Sequence, residues 1–323
     1  MKTNAFILRL ALVVFASAVS AAYAQSQLAG DYPTKPVRLV TAAPGGGNDF
    51  AARLFARGLA GPLGQPVIVE NRGSGEIAAE IVSKSRPDGY SLLVIGSDFW
   101  IRKLLGRVPW DPIKDFSPIS FATSAPNILV VHPSTPVKSV KDLIDLAKAK
   151  PGELNYASSS PGSAAHLAGE LLKSLAGVNM VHIAYKGQGA ANTAMLSGEV
   201  QLMFAAPSLV TPLVKAGRLR ALAVTSAKPT ALAPGLPTVA ATVPGFQAAS
   251  AILVLAPAGT PAAIINRLNQ ELVRLLNQPE VKENYLNLGV EVVASSPQEL
   301  AATIKFEEAR WGKVIKDAGI RED

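Results

Sequence analysis

The sequence has no cysteine and only three histidines among its 323 residues. Without cysteine there can be no disulfide scaffold, thiolate zinc site, iron–sulfur cluster or cysteine nucleophile. His132, His166 and His182 are too widely spaced for a histidine-rich metal site, so we predict no metal and no cofactor. Hydrophobic residues make up 49% of the chain, which excludes a disordered protein, and the length predicts about two domains.

The chain also lacks an arginine-rich stripe interleaved with aromatic residues. Its net charge is +7, but the basic residues are dispersed among acidic ones. A nucleic-acid-binding surface concentrates its positive charge on one face, so we expect no nucleic-acid partner.

The only long apolar run is at the N-terminus. Lys2 and Arg9 make a basic start, residues 10–19 are apolar, and Ala22 and Ala24 supply a cleavage pattern of small residues. The run is shorter than the about 20 apolar residues of a membrane-spanning helix. We interpret residues 1–24 as a secretory signal cleaved after Ala24, rather than an uncleaved anchor, and predict that the mature protein is exported. Without the signal the net charge falls to +5.

Short β-branched runs then alternate with helical patterns. Residues 37–40 predict a strand, and the apolar stripe over residues 50–59 predicts a helix. Residues 67–69 predict the next strand. The same alternation of strands and helices returns after Pro136. Strand–helix–strand repeats favour parallel pairing with right-handed crossovers. The sequence therefore predicts an α/β fold of two lobes, each a mainly parallel sheet flanked by helices.

A glycine-rich loop follows the first predicted strand and opens a helix. It consists of Pro44, Gly45, Gly46, Gly47, Asn48 and Asp49. Glycines let a ligand approach the backbone, and the first N–H groups of a helix are unpaired donors, so such a loop binds anions. Asn48 or Asp49 is predicted to cap the helix. Phe50 takes the place of the third glycine of a dinucleotide fingerprint, which argues against a nucleotide.

A serine-rich loop repeats this arrangement in the second half of the chain. It contains Ser158, Ser159, Ser160, Pro161, Gly162 and Ser163, and Ser163 is predicted to cap the following helix. Hydroxyls and unpaired N–H groups suit a carboxylate. Two such loops, one in each lobe, predict a cleft that holds an anionic ligand from both sides.

The residues show no catalytic constellation, and we predict that the protein is not an enzyme. There is no G-x-S-x-G elbow, and His166 follows Ser163 by three residues on the same helix face, which does not suit a triad base. His166 is interpreted as a packing or ligand-contact residue. Two alternatives stay open: an exported α/β hydrolase that uses a serine of the 158–163 loop, and a ligand-sensing subunit.

Several motifs follow one another in an order that spans nearly the whole mature chain. They occupy residues 32–40, 44–49, 67–72, 87–90, 110–116, 155–158, 162–163, 166–167, 185–187, 217–224, 237–239 and 244–246. In this order the chain resembles the extracytoplasmic solute receptors of the tripartite tricarboxylate transporter type, also called the Bug family.

The resemblance implies a two-lobe, Venus-flytrap periplasmic binding protein. Lobe 1 would take residues 25–130 and 251–323, and lobe 2 residues 131–250. Such receptors bind a small carboxylate, often through bridging waters, and deliver it to a two-subunit membrane permease, although many occur without a neighbouring permease. We expect a monomer.

The resemblance also carries binding roles to particular positions. They are Ala42, Ala43, Gly45, Gly46, Gly47, Asn48, Asp49, Ser158, Ser159, Ser163, His166, Tyr185, Lys186, Gly187, Ala205 and Ala206. Family members commonly have an aromatic residue near Ala42. We predict that Phe99 and Trp100 line the space that its absence opens and favour a bulky or aromatic mono- or dicarboxylate. The alternative is that both are core residues.

Overall fold

The computed structural model describes residues 32–106, 108–158, 163–185 and 188–318. The predicted signal and its cleavage site lie outside the described residues. Within the described ranges the chain builds two β-sheets, each flanked by helices. No helix there is both long and apolar enough to cross a membrane.

The first lobe is built on a six-stranded sheet. Its strands are β1 (Val37–Thr41), β2 (Val67–Asn71), β3 (Ser91–Gly96), β4 (Phe116–Pro126), β10 (Ala249–Pro257) and β11 (Glu291–Val292). Their order across the sheet is β11–β4–β10–β3–β1–β2. Residues from both ends of the mature chain therefore share one sheet.

The second lobe is built on a five-stranded sheet. Its strands are β5 (Ile128–Val131), β6 (Asn155–Ser158), β7 (Val181–Ala184), β8 (Leu202–Ala205) and β9 (Arg220–Val224). Their order is β7–β6–β8–β5–β9.

Both sheets are mixed, which corrects the prediction of mainly parallel sheets. β1 runs parallel to β2 and β3, and β6 runs parallel to β7 and β8. β10 is antiparallel to β3 and β4, and β5 is antiparallel to β8 and β9. The antiparallel pairs involve the strands that adjoin the chain crossings between the lobes. These strands are not joined to their sheet neighbours by the helical crossovers that parallel pairing requires.

Ten α-helices and one short 3₁₀ turn, Val239–Ala241, cover the sheets in the described ranges. The first lobe carries α1 (Gly47–Leu63), α2 (Gly75–Ser83), α3 (Phe99–Leu105), α8 (Ala262–Leu276), α9 (Pro279–Asn287) and α10 (Pro297–Ala318). The second carries α4 (Val140–Ala149), α5 (Ala164–Ala176), α6 (Gln188–Ser197) and α7 (Pro207–Lys215). The C-terminal helices pack against elements of the first sheet and its helices.

Helix α8 shows how the apolar pattern places these helices. Ile264, Leu268, Leu272 and Leu275 recur every three or four residues and are buried against the first sheet and α1. The packing is close: a Cβ added at Gly58 would come within 2.3 Å of a Leu275 methyl. Glycine at position 58 therefore lets α1 and α8 approach each other.

The chain changes sheets at Asn127, between β4 and β5. The prediction put this crossing at about residue 130, but β5 belongs to the second sheet from Ile128 onwards. The return crossing lies between Val224, the last residue of β9, and Ala249, the first of β10. One cluster of buried side chains continues from the first lobe into the second, so the lobes share part of their core.

Candidate functional site

The loop between β1 and α1 presents free helix-start amides. Gly45 has a φ of 86°, in the left-handed region that favours glycine. α1 begins at Gly47, and its first helical donor is Phe50, whose N–H bonds to the carbonyl of Gly46 at 3.0 Å. The amides of Gly46, Gly47 and Asn48 therefore precede the helical ladder. Together with the helix dipole they make a place where an anion can bind.

Asp49 holds this loop in shape. It is only 5% exposed, and its carboxylate accepts from Arg53 Nε at 3.1 Å, the Gly45 N–H at 3.0 Å and Asn71 Nδ2 at 2.8 Å. Asn71 Nδ2 also donates to the carbonyl of Ala42 at 2.8 Å. The bonds from Arg53, Gly45 and Asn71 lower the pKa of Asp49 to about 2. Asp49 is therefore an ionised anchor for the loop.

The predicted cap of α1 is wrong. The N-cap residue is Gly46, which offers no side-chain bond, and Asp49 is the third residue of the helix. Its carboxylate instead reaches back to Gly45, where its negative charge also lies favourably at the positive end of the helix.

A cavity of about 650 Å³ opens at the edge of the first sheet, where β1 and β3 end and β10 begins. Gly45, Gly46, Gly47 and Asn48 line one end. Most other walls are apolar and come from several elements: Phe50, Trp100, Ile101, Phe121, Leu167, Leu288 and Trp311. Leu167 and Ala164 lie at the start of α5, so the second lobe also reaches the cavity.

A buried ion pair on α10 forms part of the cavity wall. The side chains of Arg310 and Glu307 are 10% and 4% exposed, and both residues line the cavity. Arg310 donates to the Glu307 carboxylate and to the carbonyl of Gln247, and Trp311 Nε1 donates to Glu307 at 2.9 Å. Burial raises the pKa of Glu307, and the Arg310 guanidinium opposes this rise.

The predicted site residues do not include this pair. The spacing of Glu307, Arg310 and Trp311 does place them on one helix face. No local signal indicates that this face reaches the cleft, because that depends on how α10 packs against the first lobe.

Three cavity-lining residues have a buried polar atom without a hydrogen-bond partner among the described residues. These atoms are Thr123 Oγ1, Tyr285 OH and Arg310 Nε. Such an atom in an ordinary core costs about 1–3 kcal/mol. The walls therefore retain unused hydrogen-bonding capacity.

Phe99 and Trp100 have different environments, which corrects part of the prediction. Phe99 has 0% exposure and stacks on Trp110 at 5.2 Å, with Phe116 edge-on at 5.1 Å. It belongs to the core because α3 begins at Phe99 and directs that side chain beneath the helix. Trp100, one residue later, lines the cavity.

In the second lobe the predicted residues Ser158 and His166 both contact His182, which was not predicted for the site. Ser158 is 1% exposed, and its Oγ lies 2.7 Å from Nε2 of His182. His182 stacks on His166, with ring centroids 3.9 Å apart, and on Tyr156 at 5.0 Å. Burial, and then the neighbouring His166, lower the pKa of His182 to about 4; burial also lowers the pKa of His166.

The other predicted residues of the second lobe have separate environments. Ser163 caps α5 as predicted, its Oγ accepting from the His166 N–H at 3.4 Å. Tyr185 donates to Glu199 at 2.9 Å. Ala205 is buried at the end of β8, and Ala206, the next residue, is exposed.

Several predicted residues do not line the cavity or lie outside the described part of the chain. In the first lobe Ala42 is half-buried and Ala43 is exposed, both next to the amide loop. Ser159, Lys186 and Gly187 lie outside the described residues. Within the described ranges no group of three or more histidine and acidic side chains could hold a metal ion.

Residues 51–320 match the tripartite tricarboxylate transporter family receptor. This chain belongs to that family. It is 33% identical over 320 residues to Protein BugT of Bordetella pertussis, covering 97% of this chain and 98% of that one.

Solved structures of similar proteins place the chain in the same receptor family. One is a protein of R. palustris with adipate: it is 38% identical, the match covers 90% of this chain and 99% of that one, and the TM-score is 0.68. Another is MatC of Rhodopseudomonas palustris with bound malate, at 30% identity, 88% and 100% coverage, and a TM-score of 0.65. The family is one of substrate-binding receptors, and its members are periplasmic binding proteins.

Proposed function

We propose that this protein is a periplasmic solute-binding protein that captures a small carboxylate between its two lobes. One observation carries the proposal: the amides of Gly46, Gly47 and Asn48 open into a cavity with apolar walls. The oriented backbone N–H groups at a helix start can hydrogen-bond a carboxylate, so no positively charged side chain is required. The adipate and malate bound to similar proteins support the same ligand class.

The ligand carboxylate would meet the amide loop directly or through bridging waters. The body of the ligand would lie between Trp100 and Trp311 of the first lobe and Leu167 of the second. Aromatic walls favour a bulky or aromatic acid, because ring contacts add about 0.5–1.5 kcal/mol to the burial of apolar area. The start of α5 would approach the ligand from the opposite side.

In this proposal the chain is exported, cleaved after Ala24 and monomeric, and delivers its ligand to a two-subunit permease. Intact mass and N-terminal sequencing of the periplasmic protein test the cleavage, which should leave Gln25 first. Size-exclusion chromatography with light scattering measures the molar mass in solution and so tests whether the protein is a monomer. A permease deletion that leaves uptake of the bound acid unchanged would contradict the delivery role.

Native mass spectrometry of the purified protein tests the ligand class. We expect a retained small acid, which calorimetry then confirms by titration into protein that has been unfolded, dialysed and refolded. A panel of benzoate, phthalate, malate, citrate and glutamate covers aromatic and aliphatic acids. Failure of all organic acids to bind would overturn the proposal.

The proposal includes no catalysis. The Ser158 hydroxyl is buried and lies within hydrogen-bond distance of His182, away from the cavity walls. Incubation with esters and amides of the bound acid tests this. Turnover that disappears in Ser158→Ala or Ser163→Ala would show that the protein is a hydrolase.

A further inference from the structure

The ion pair Glu307–Arg310 and the amide loop line the same cavity. Arg310 donates to the carbonyl of Gln247, two residues before β10, and Gln247 itself lines the cavity. One ligand can therefore contact the amides with a carboxylate at one end and the pair with a substituent at the other.

The pair has donors and acceptors to spare. A guanidinium has five N–H donors, and those of Arg310 go to Glu307 and to the carbonyls of Gln247 and, at 3.5 Å, Gly245. Arg310 Nε has no partner among the described residues. The Glu307 carboxylate accepts from Arg310 and Trp311, which leaves lone pairs unused. A group that both donates and accepts can therefore bond here.

The pair has no net positive charge to attract a second anion. The Arg310 guanidinium is already paired with the Glu307 carboxylate. Arg310 is also the only positively charged residue among the described residues that line the cavity. A ligand carboxylate placed here would therefore lie beside the negative charge of Glu307 with no unpaired cation to offset it.

We infer that Glu307 and Arg310 bind an uncharged hydrogen-bonding group, a hydroxyl or carboxamide, at the far end of the ligand and exclude a second carboxylate. The inference rests on the proposed function and narrows its substrate class. The ligand is an aromatic or similarly bulky monocarboxylate with a hydroxyl or amide opposite its carboxylate.

Calorimetry at pH 8 with three matched acids tests the inference. Benzoate, 4-hydroxybenzoate and terephthalate share one ring and one carboxylate and differ only at the opposite position. We expect 4-hydroxybenzoate to bind about tenfold more tightly than benzoate, and terephthalate at least about tenfold more weakly than 4-hydroxybenzoate.

Two variants assign the preference to the pair. Glu307→Gln removes the negative charge and should reduce the difference in affinity between terephthalate and 4-hydroxybenzoate. Arg310→Gln should abolish the advantage of the hydroxyl while benzoate still binds. Glu308→Gln is the matched control, because Glu308 is the next residue and does not line the cavity. Thermal melting checks folding, and the wild-type comparison of the three acids stands even if a variant fails to fold.

The outcomes separate the inference from the proposed function. Binding of benzoate with no preference for the hydroxyl, or with tighter binding of terephthalate, overturns the inference and leaves the carboxylate receptor intact. Failure of every acid, including adipate and malate, overturns both. A hydroxyl preference that Glu308→Gln changes as strongly as Glu307→Gln overturns the assignment to this pair.

Discussion

Asn127 and Thr225 are joined by a reciprocal pair of hydrogen bonds where the chain passes between the lobes. The Asn127 N–H donates to Thr225 Oγ1 at 2.8 Å, and the Thr225 N–H donates to the carbonyl of Asn127 at 2.9 Å. The carbonyl of Thr225 accepts from the Ala248 N–H at 3.0 Å. One buried residue therefore hydrogen-bonds within both chain crossings.

Removing the Thr225 hydroxyl should lower the stability of the folded protein. Thr225→Val keeps the shape but leaves the Asn127 N–H without its acceptor, so we expect a loss of about 1–3 kcal/mol in the free energy of unfolding. Urea denaturation measures it. Thr225→Ser retains the hydroxyl and should lose less. Equal stability of Thr225→Val and wild type would show that the hydroxyl bond contributes nothing.

The amide model of carboxylate binding can be tested at a single backbone atom. Gly46 has a φ of −87°, close to the range of proline, and an added Cβ meets no atom within 4 Å. Gly46→Ala should bind ligand normally, whereas Gly46→Pro removes the N–H donor and should lose about tenfold or more in affinity.

Calorimetry with the bound acid compares these variants. Arg57→Ala, an exposed change one turn beyond Arg53, is the control. Arg53 itself is a poor control, because it bonds to Asp49 and Asn71. Equal affinities of Gly46→Pro and Gly46→Ala would refute a role for this amide.

Phe99 and Trp100, which are neighbours on α3, should respond differently to substitution by alanine. Phe99→Ala opens a hole in the core and should cost about 3–5 kcal/mol in unfolding free energy, with little change in ligand affinity of the folded protein. Trp100→Ala removes a cavity wall and should weaken binding of an aromatic acid. Denaturation and calorimetry together separate the two effects. A larger loss of affinity in Phe99→Ala than in Trp100→Ala would contradict the assignment of Trp100 as the ring that contacts the ligand.

The His166–His182 stack should make folding stability depend on pH. The pKa of His182 falls from its ordinary 6.5 to about 4 in the folded protein, because burial and His166 disfavour its charged form. The unfolded chain therefore takes up the proton first. Stability is retained above pH 6.5 and declines as the pH falls from 6.5 towards 4.

Urea midpoints at pH 7.5 and pH 5 measure this decline. We expect a loss of about 1 kcal/mol from His182, after allowance for solvent screening at this half-buried ring. His182→Gln should flatten the decline. His132→Gln changes a histidine outside the stack and should leave the decline in stability unchanged. A wild-type decline that persists in full in His182→Gln would assign the effect to other groups.

Local sequence chemistry predicted several elements closely. Helix α4 lies shortly after Pro136, where the returning alternation of strands and helices predicts regular structure. Ser139 caps it, accepting from the Asp142 N–H at 3.1 Å, and its apolar residues share one face. The glycines of the first loop likewise mark a backbone that no other residue adopts readily, as the φ of Gly45 shows. Such signals act within a few residues and are therefore readable from the chain alone.

Strand β4 was missed, although it pairs with β10 along most of its length. Its sequence, FSPISFATSAP, has two prolines and few β-branched residues. Pro118 is tolerated because the pairing shifts register beside it, between Val254 and Leu255. Pairing with a partner more than a hundred residues away, rather than intrinsic preference, makes this segment a strand.

The sequence by itself determined the two α/β lobes, the amide loop at residues 45–48 and, through its motif order, the receptor family. Each depends on periodicity, turn chemistry or short motifs that neighbouring residues carry. Only the tertiary structure decided that Trp100 lines the cavity while Phe99 lies in the core. It also brought Glu307 and Arg310 from the last helix to the cleft. The physical reason is that side-chain burial and ion pairing at the cleft depend on how distant elements pack. Arg310 of α10 meets the carbonyl of Gln247, two residues before β10, only through the tertiary fold.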